Sequence, residues 1–236
     1  MVPAEIYNPA DRRPIAARGH RWSQAVAGWL AARGVSPNAI SVGGMACGVL
    51  AGVALAATRT GPPGSPGERL LWLTGAVLVQ LRLLANMFDG MVAVATGKAS
   101  RMGEIYNEAP DRISDAATLI GLGYATDGSP VLGYVAACLA LFTAYVRTLG
   151  RSAGAPNEFC GPMAKQQRMF IVTAVAIYLA VAPLGVRPNW GPGGRWGLPA
   201  AALLLIIAGC AVTSLRRLVR IARTLRGHTG ERPNAA

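Results

Sequence analysis

Histidine is nearly missing from this chain. Its 236 residues include two, His20 and His228, far apart and near the ends, which removes a histidine-based metal centre or catalytic triad from the candidates. Cysteine is scarce as well. Cys47, Cys138, Cys160 and Cys210 are scattered and none pair as C-x-x-C, so they read as small core hydrophobes rather than disulfides or thiolate metal ligands. Charge is the third shortage: 14% of residues are charged against 52% hydrophobic, with a mean hydropathy of +0.35. That is too apolar for an ordinary soluble domain and suits a polytopic membrane protein. Acids are the scarcer sign, 11 Asp+Glu against 23 Lys+Arg, for a net charge of +12. Beside long apolar runs, a basic excess points to an anionic membrane surface and not to nucleic acid. Glu5, Asp11, Arg12 and Arg13 precede any apolar run, which is unlike a cleavable signal peptide. There is no internal repeat and no sign of a second domain, so residues 1–236 read as one membrane domain.

What is present is a series of apolar segments divided by turn signals. Residues 1–11 read as a short disordered lead. Residues 14–33 hold Ile15, Trp22, Val26, Trp29 and Leu30 among Arg18, Arg21 and Arg33, the pattern of an amphipathic helix lying in the membrane interface. Six spans follow, within residues 39–215: 39–58, 70–96, 102–126, 131–152, 164–181 and 198–215. Pro- and Gly-rich loops at 61–67, 127–130, 154–162 and 183–197 separate most of them. A basic cytoplasmic tail, 216–236, begins as a helix to Arg226 and is expected to be disordered from Gly227. Seventeen Lys and Arg fall on the side of the termini and four on the other, which puts both termini in the cytoplasm. Six spans give that asymmetry cleanly. The predicted class is therefore an all-α bundle of six transmembrane helices, in the cytoplasmic (inner) membrane of a bacterium.

The stretch Asn86–Asp115 breaks the apolar pattern. At helical spacing Arg82, Asn86, Asp89, Gly90 and Ala93 share one face, and Asn107, Asp111 and Asp115 share one face of the next helix. Polar faces on adjacent apolar helices meet only in a bundle interior or a water-filled cavity, where ionisable residues mark function. At a rise of ~1.5 Å per residue, Asp89 and Asn86 lie roughly 28 and 24 Å along their helix from Leu70. Asp111 and Asn107 lie roughly 24 and 30 Å from Asp127 on the next helix. All four therefore reach one depth, near the cytoplasmic edge of a core about 30 Å thick. Clustered carboxylate and amide oxygens are hard donors that suit Mg²⁺ or Mn²⁺ shared with phosphates. Gly90, Ala93, Gly97 and Gly103 would let a bulky group approach the backbone. Two structural alternatives stand beside this reading. The small residues also suit close helix packing, and the acids also suit a polar seam paired with Arg82, Arg101 or Arg112.

Asn86-x-x-Asp89-Gly90-x-x-Ala93 followed by Gly103-x-x-x-Asn107-x-x-x-Asp111 resembles the signature of the CDP-alcohol phosphotransferase family, D-x-x-D-G-x-x-A-R, a short gap, then G-x-x-x-D-x-x-x-D. Ser36-Pro37-Asn38-Ala39-Ile40-Ser41 is similar to the family's P-N-x-I-T at the start of the first span. Gly103-Glu104-Ile105-Tyr106 is similar to its G-E-L-F, and Asp111-Arg112-Ile113-Ser114-Asp115 resembles the same stretch in inositol-phosphate-using members. The resemblance covers residues 36–170. It implies a six-span enzyme, with its site at the cytoplasmic side. Such an enzyme moves a substituted phosphate, such as a phosphatidyl group, from a CDP-linked lipid donor to an alcohol or phosphorylated alcohol in phospholipid biosynthesis, and releases CMP. It implies Asp111 as the general base and Asn86, Asp89, Asn107 and Asp111 as the set that holds one or two Mg²⁺ or Mn²⁺ ions. It also implies CDP binding by Asp89, Gly90, Ala93 and Gly103, and a homodimer. Arg147, Arg151, Lys165 and Arg168 sit where such proteins bind an anionic acceptor; the positive-inside rule places the same residues there without an acceptor, and both readings stand.

Three positions depart from the signature: Asn86 and Asn107 replace the first and third Asp, and Val94 replaces the Arg. Each Asn keeps a neutral oxygen but removes a negative charge, so divalent affinity falls unless Glu104, Glu108 or Asp115 compensates; spacing puts Glu108 and Asp115 within about 60° of Asp111 on the helix. Pro110 frees the carbonyl of Tyr106 and is expected to disturb the helix. Two other functions fit the same residues: a catalytically weakened or inactive relative that binds CDP-lipid or nucleotide, and an unrelated transporter with a cytosolic cation site. A transporter site belongs near the bilayer midplane, which the depth of this cluster argues against.

Overall fold

The computed structural model describes residues 16–97, 101–191 and 194–230. The chain is all-helical, with α1 (Arg21–Ala32), α2 (Pro37–Ala57), α3 (Pro66–Ala95), α4 (Arg101–Tyr124), α5 (Pro130–Ser152), α6 (Lys165–Val181) and α7 (Leu198–Gly230). Three of these helices start the same way. Ser36, Ser65 and Ser129 each accept a hydrogen bond from the backbone N–H three residues on, and each is followed by proline. The serine satisfies an orphan helix donor, and the proline's fixed φ suits the first turn. Ser-Pro in this chain is thus a helix-start signal and not merely a break.

Most boundaries fall within a few residues of those predicted, with two differences. The interfacial segment divides into a short 3₁₀ turn, Ala16–Gly19, and α1. The last span and its basic extension form one helix that runs past Gly227 to Gly230, because nothing between Leu215 and Arg226 breaks it. The expected disordered lead at 1–11 lies outside the described residues. Pro110 sits inside α4 without ending it.

Among the described residues, four segments are long and apolar enough to cross a membrane: Pro37–Thr60, Pro66–Ala95, Pro130–Ser152 and Leu198–Arg226. Two predicted spans are not among them. Helix α4 carries the charged residues Glu108, Asp111, Arg112 and Asp115, and α6 has only 17 residues.

The centre of the bundle is α2, which packs on both α3 and α4; α5 bridges α4 and α7, and α6 packs on α3. In lipid, helices associate through close packing rather than water expulsion, so small residues line the seams. A Cβ on Gly52 would lie 2.3 Å from the carbonyl oxygen of Ala117, and one on Gly121 would lie 2.2 Å from that of Gly52. Thr118 Oγ1 donates across the same seam to the Gly48 carbonyl at 3.3 Å. Gly121→Val should therefore force α2 and α4 apart. The expected result is a lower melting temperature in detergent and aggregation on size exclusion; a wild-type melt would contradict this account of the seam.

Around the seam, Leu55, Trp72, Val79, Leu119, Leu122, Leu203 and Ile206 are fully buried. Leu50, Val53, Leu70, Phe170, Val181 and Leu205 are more than half exposed, as an apolar face toward lipid requires. The four cysteines are unpaired thiols, as expected from their scatter. Burial pushes the Cys160 thiol up, which keeps it protonated at neutral pH.

The bundle end at the start of α3 is locked by a group that pattern reading did not single out. Glu68 is buried, accepting from Trp72 Nε1 at 3.1 Å, Arg187 Nη1 at 3.0 Å and the Gly64 amide at 2.5 Å. Arg69 donates to the carbonyls of Ala180, Val181 and Ala182 where α6 ends. These contacts fasten the Pro/Gly-rich loop after α6 and leave the opposite end of the bundle to carry the polar cluster.

Candidate active site

Helices α3 and α4 bring their polar faces together, as their spacing predicts, and the starts of α2 and α6 close the site. Asp89 is buried; its Oδ2 accepts from Ser41 Oγ at 2.7 Å. Its Oδ1 is buried too and accepts no hydrogen bond, beyond the pull of the adjacent Gly90 amide. Ser41 stands at the Thr position of the P-N-x-I-T similarity, so a sequence signal for it existed, but only packing shows that it holds Asp89.

Asp111 is the most connected carboxylate. Asn86 Nδ2 donates to its Oδ2 at 3.2 Å, Lys165 Nζ donates to the same oxygen, and Arg82 Nη2 donates to its Oδ1 at 3.3 Å and its carbonyl at 3.0 Å. Lys165 Nζ also donates to Asn86 Oδ1 at 2.7 Å. Asn86, Asp89 and Asp111 line an open pocket of about 180 Å³ together with Ser41, Gly44 and Pro110. Gly90 and Ala93 are buried on the same face of α3, and Gly103 is partly exposed near the start of α4.

Asp115 goes elsewhere. It sits in the core between Arg82 Nη2 at 2.5 Å and Arg168 Nη2 at 2.7 Å. Arg168 is itself buried and also donates to the Met163 carbonyl at 3.1 Å. Glu108 leaves the cluster altogether, pairing with Arg112 at 2.6 Å and with Arg147 of α5. Glu108 and Asp115, two of the three acids expected to be able to compensate for Asn86 and Asn107, are thus committed to guanidiniums. Three near neighbours on one helix meet three sets of partners because α3, α5 and α6 surround α4. The side chains of Asn107 and Glu104 lie outside the described residues.

The four basic candidates separate as well. Lys165 is in the cluster, Arg168 supports it from the core, and Arg147 pairs with Glu108 and lies over the Phe159 ring at 5.6 Å. Arg151 is exposed at the end of α5. Arg217 was missed: its guanidinium is buried and donates to the carbonyls of Thr143 and Cys160, tying α7 to α5 and the loop after it. Nothing in its sequence setting distinguishes it from the neighbouring basic residues of the tail.

The donor set decides what could bind here. Among the described residues, no three His, Cys, Asp or Glu side chains converge to hold a metal ion. Asp89, whose Oδ1 has no hydrogen-bond partner, lines the pocket with Asn86 and Asp111, an oxygen donor set that fits one divalent ion. Both Asp111 oxygens already accept hydrogen bonds, Oδ2 from Lys165 and Asn86 and Oδ1 from Arg82.

Comparison with known proteins points the same way. The CDP-alcohol phosphatidyltransferase family model matches residues 34–214. A phosphatidylinositol phosphate synthase of Streptomyces avermitilis is 32% identical over 203 residues, covering 84% of this chain and 76% of that protein. An archaetidylinositol phosphate synthase of Aeropyrum pernix is 29% identical over 153 residues, covering 64% and 70%. The fold is similar to that of Mycobacterium tuberculosis phosphatidylinositol phosphate synthase with CDP-DAG bound, with a TM-score of 0.67 at 20% identity over 86% of this chain and 94% of that one. The same protein has also been solved with manganese and citrate (TM-score 0.65, 19% identity, 84% and 88% covered).

Proposed function

Because the chain belongs to the CDP-alcohol phosphatidyltransferase family, we propose that it is a membrane enzyme that transfers a phosphatidyl group from CDP-diacylglycerol to the hydroxyl of a phosphorylated polyol such as inositol phosphate, with release of CMP. The observation that carries this reading is the convergence of Asp89, Asn86 and Asp111 on one pocket at the end of the bundle. The acceptor class is supported by the phosphatidylinositol phosphate and archaetidylinositol phosphate synthases among its relatives.

The donor's lipid tail stays in the bilayer while its diphosphate reaches the pocket. Asp111 takes the proton of the acceptor hydroxyl. The hydroxyl oxygen then bonds to the lipid-linked phosphorus as that phosphorus loses its bond to CMP, which leaves with the electron pair. A general base so placed contributes about 10²–10⁴ in rate. Lys165 and Arg82 hold the Asp111 carboxylate in place before the acceptor arrives. One Mg²⁺ or Mn²⁺ would be held by Asp89 through its unbonded Oδ1, with Asn86, Asp111 and, by motif position, Asn107 adding oxygens. Bound there, it supplies charge neutralisation to the diphosphate. Gly90, Ala93 and Gly103 give the cytidine diphosphate its approach, and Arg147 and Arg151 set a positive rim for an anionic acceptor, with Arg168 behind it in the core.

Helices α4 and α6 complete a six-span bundle with the four strongly apolar segments. Asp111 and Asp115 of α4 turn inward to Arg82, Lys165 and Arg168, and α6 presents Phe170, Ile177 and Val181 outward. The Lys and Arg bias then puts the active site and both termini on the cytoplasmic side. Helix α1, with Trp22 and Trp29 half exposed, lies along that surface, and its Trp22 ring meets Phe88 of α3 edge-on at 6.1 Å.

The test is to incubate purified protein with CDP-diacylglycerol, Mg²⁺ or Mn²⁺, and inositol phosphate, inositol or glycerol 3-phosphate in turn. CMP release that depends on inositol phosphate is the expected result. CDP binding without CMP release from any acceptor would instead identify a protein that binds donor without turnover.

A further inference from the structure

Lys165 is the first residue of α6, and that turn contains no acid. A cation at a helix N-terminus opposes the helix dipole, so local structure alone argues against lysine there. Its ammonium is nevertheless only slightly exposed, bonded to Asn86 Oδ1 at 2.7 Å and to Asp111 Oδ2. The group it bridges is the pair in which one signature carboxylate has become an amide.

Charge balance explains why both features occur together. Asp89, Asp111 and Asp115 carry three negative charges at the cluster, and Arg82, Arg168 and Lys165 carry three positive ones. One divalent ion beside the unbonded Asp89 Oδ1 leaves the cluster ready for an anionic diphosphate. Two such ions would crowd four more positive charges against the three already there. Glu108 does not relieve this, since Arg112 and Arg147 take it.

We propose that the Lys165 ammonium is a built-in monovalent cation standing in place of a second divalent ion, and that Asn86 and Lys165 together make this a single-ion site. Asn86 accepts from the ammonium where a carboxylate would draw a metal, and in the sequence Asn107 carries no charge where the signature has its third Asp. The inference rests on the transferase reading for the placement of the first ion, but it concerns how many ions bind.

Mn²⁺ binding to the purified full chain in detergent, in the presence of CDP, tests it by titration and by electron paramagnetic resonance. The wild type should bind one ion per chain with an uncoupled spectrum. Asn86→Asp/Asn107→Asp, with Lys165 retained, should still bind one. Asn86→Asp/Asn107→Asp/Lys165→Met should bind two, with the spin coupling of ions roughly 4 Å apart. Two coupled ions in the wild type overturn the proposal without needing any variant to fold. A triple variant that still melts with a CDP-dependent shift yet binds one ion also overturns it. CMP release is measured in parallel and separates the two readings: a wild type that releases CMP and binds two ions keeps the transferase and loses the single-ion site. One that binds one ion and releases no CMP does the reverse.

Discussion

Asp111→Asn lowers CMP release by about 10²–10⁴-fold, the range that removal of a well-placed general base spans, and leaves the bundle folded. The substitution is isosteric, so the contacts that hold the position survive in part. Arg82 keeps Asp115 and the Asp111 carbonyl, and Lys165 keeps Asn86 Oδ1. What disappears is the carboxylate that faces the pocket and can accept a proton. Steady-state CMP release gives the loss, and a CDP-dependent rise in melting temperature reports that donor binding is retained. Full activity in this variant would remove Asp111 from the chemistry. Equal loss of CDP binding and turnover would assign it to holding the donor.

Asp115→Ala is expected to have the larger effect on stability. The Asp115 side chain is 2% exposed and its two partners, Arg82 and Arg168, are 1% and 2% exposed. Deleting the acid leaves Arg168 in the core without its counter-charge and Arg82 with only its longer contact to Asp111. Breaking a buried pair in this way costs about 3–5 kcal/mol, which for a chain of this size lowers the melting temperature by roughly 6–20 °C. Asp115→Asn, which keeps a hydrogen-bond acceptor, should fall between the two. The contrast is Glu108→Ala. That side chain is 48% exposed, and pairs at the surface contribute about 1 kcal/mol or less. Thermal unfolding in detergent distinguishes the two positions. A melt within a degree or two of wild type for Asp115→Ala would mean that the guanidiniums find other partners and that Asp115 does not hold the core.

Asp111 and Asp115 lie four residues apart on α4, and Glu108 lies three before Asp111. Their spacing placed all three toward one side of the helix, and on that basis Glu108 and Asp115 were both eligible to compensate for the asparagines. Periodicity gives an azimuth to within some tens of degrees, and at the radius of a long side chain that spread covers more than one neighbouring helix. Glu108 reaches Arg147 on α5, Asp111 reaches Lys165 on α6, and Asp115 reaches Arg82 on α3 and Arg168 on α6. The chemical roles expected of the three could not be separated until those neighbours were in place.

Much else was legible beforehand. Hydropathy and the scarcity of charge identified a membrane bundle, Ser-Pro steps and Pro/Gly loops marked the helix starts and turns, and the signature with its two asparagines identified the family and the stretch that carries the site. These are local properties, set by propensity, periodicity and the cost of bare polar groups in lipid, and each is encoded within a few turns of chain. Tertiary structure alone decided the contacts between residues distant in sequence: Ser41 with Asp89, 48 positions apart, and Lys165 with Asp111, 54 apart. It also decided that Glu68 and Arg187 lock the opposite end. Such pairs depend on which helices pack side by side, which the glycine seams between α2 and α4 determine through backbone approach. The presence of an oxygen-rich polar cluster could therefore be read from the residues, while the Lys165 ammonium built into it could be read only from the packing.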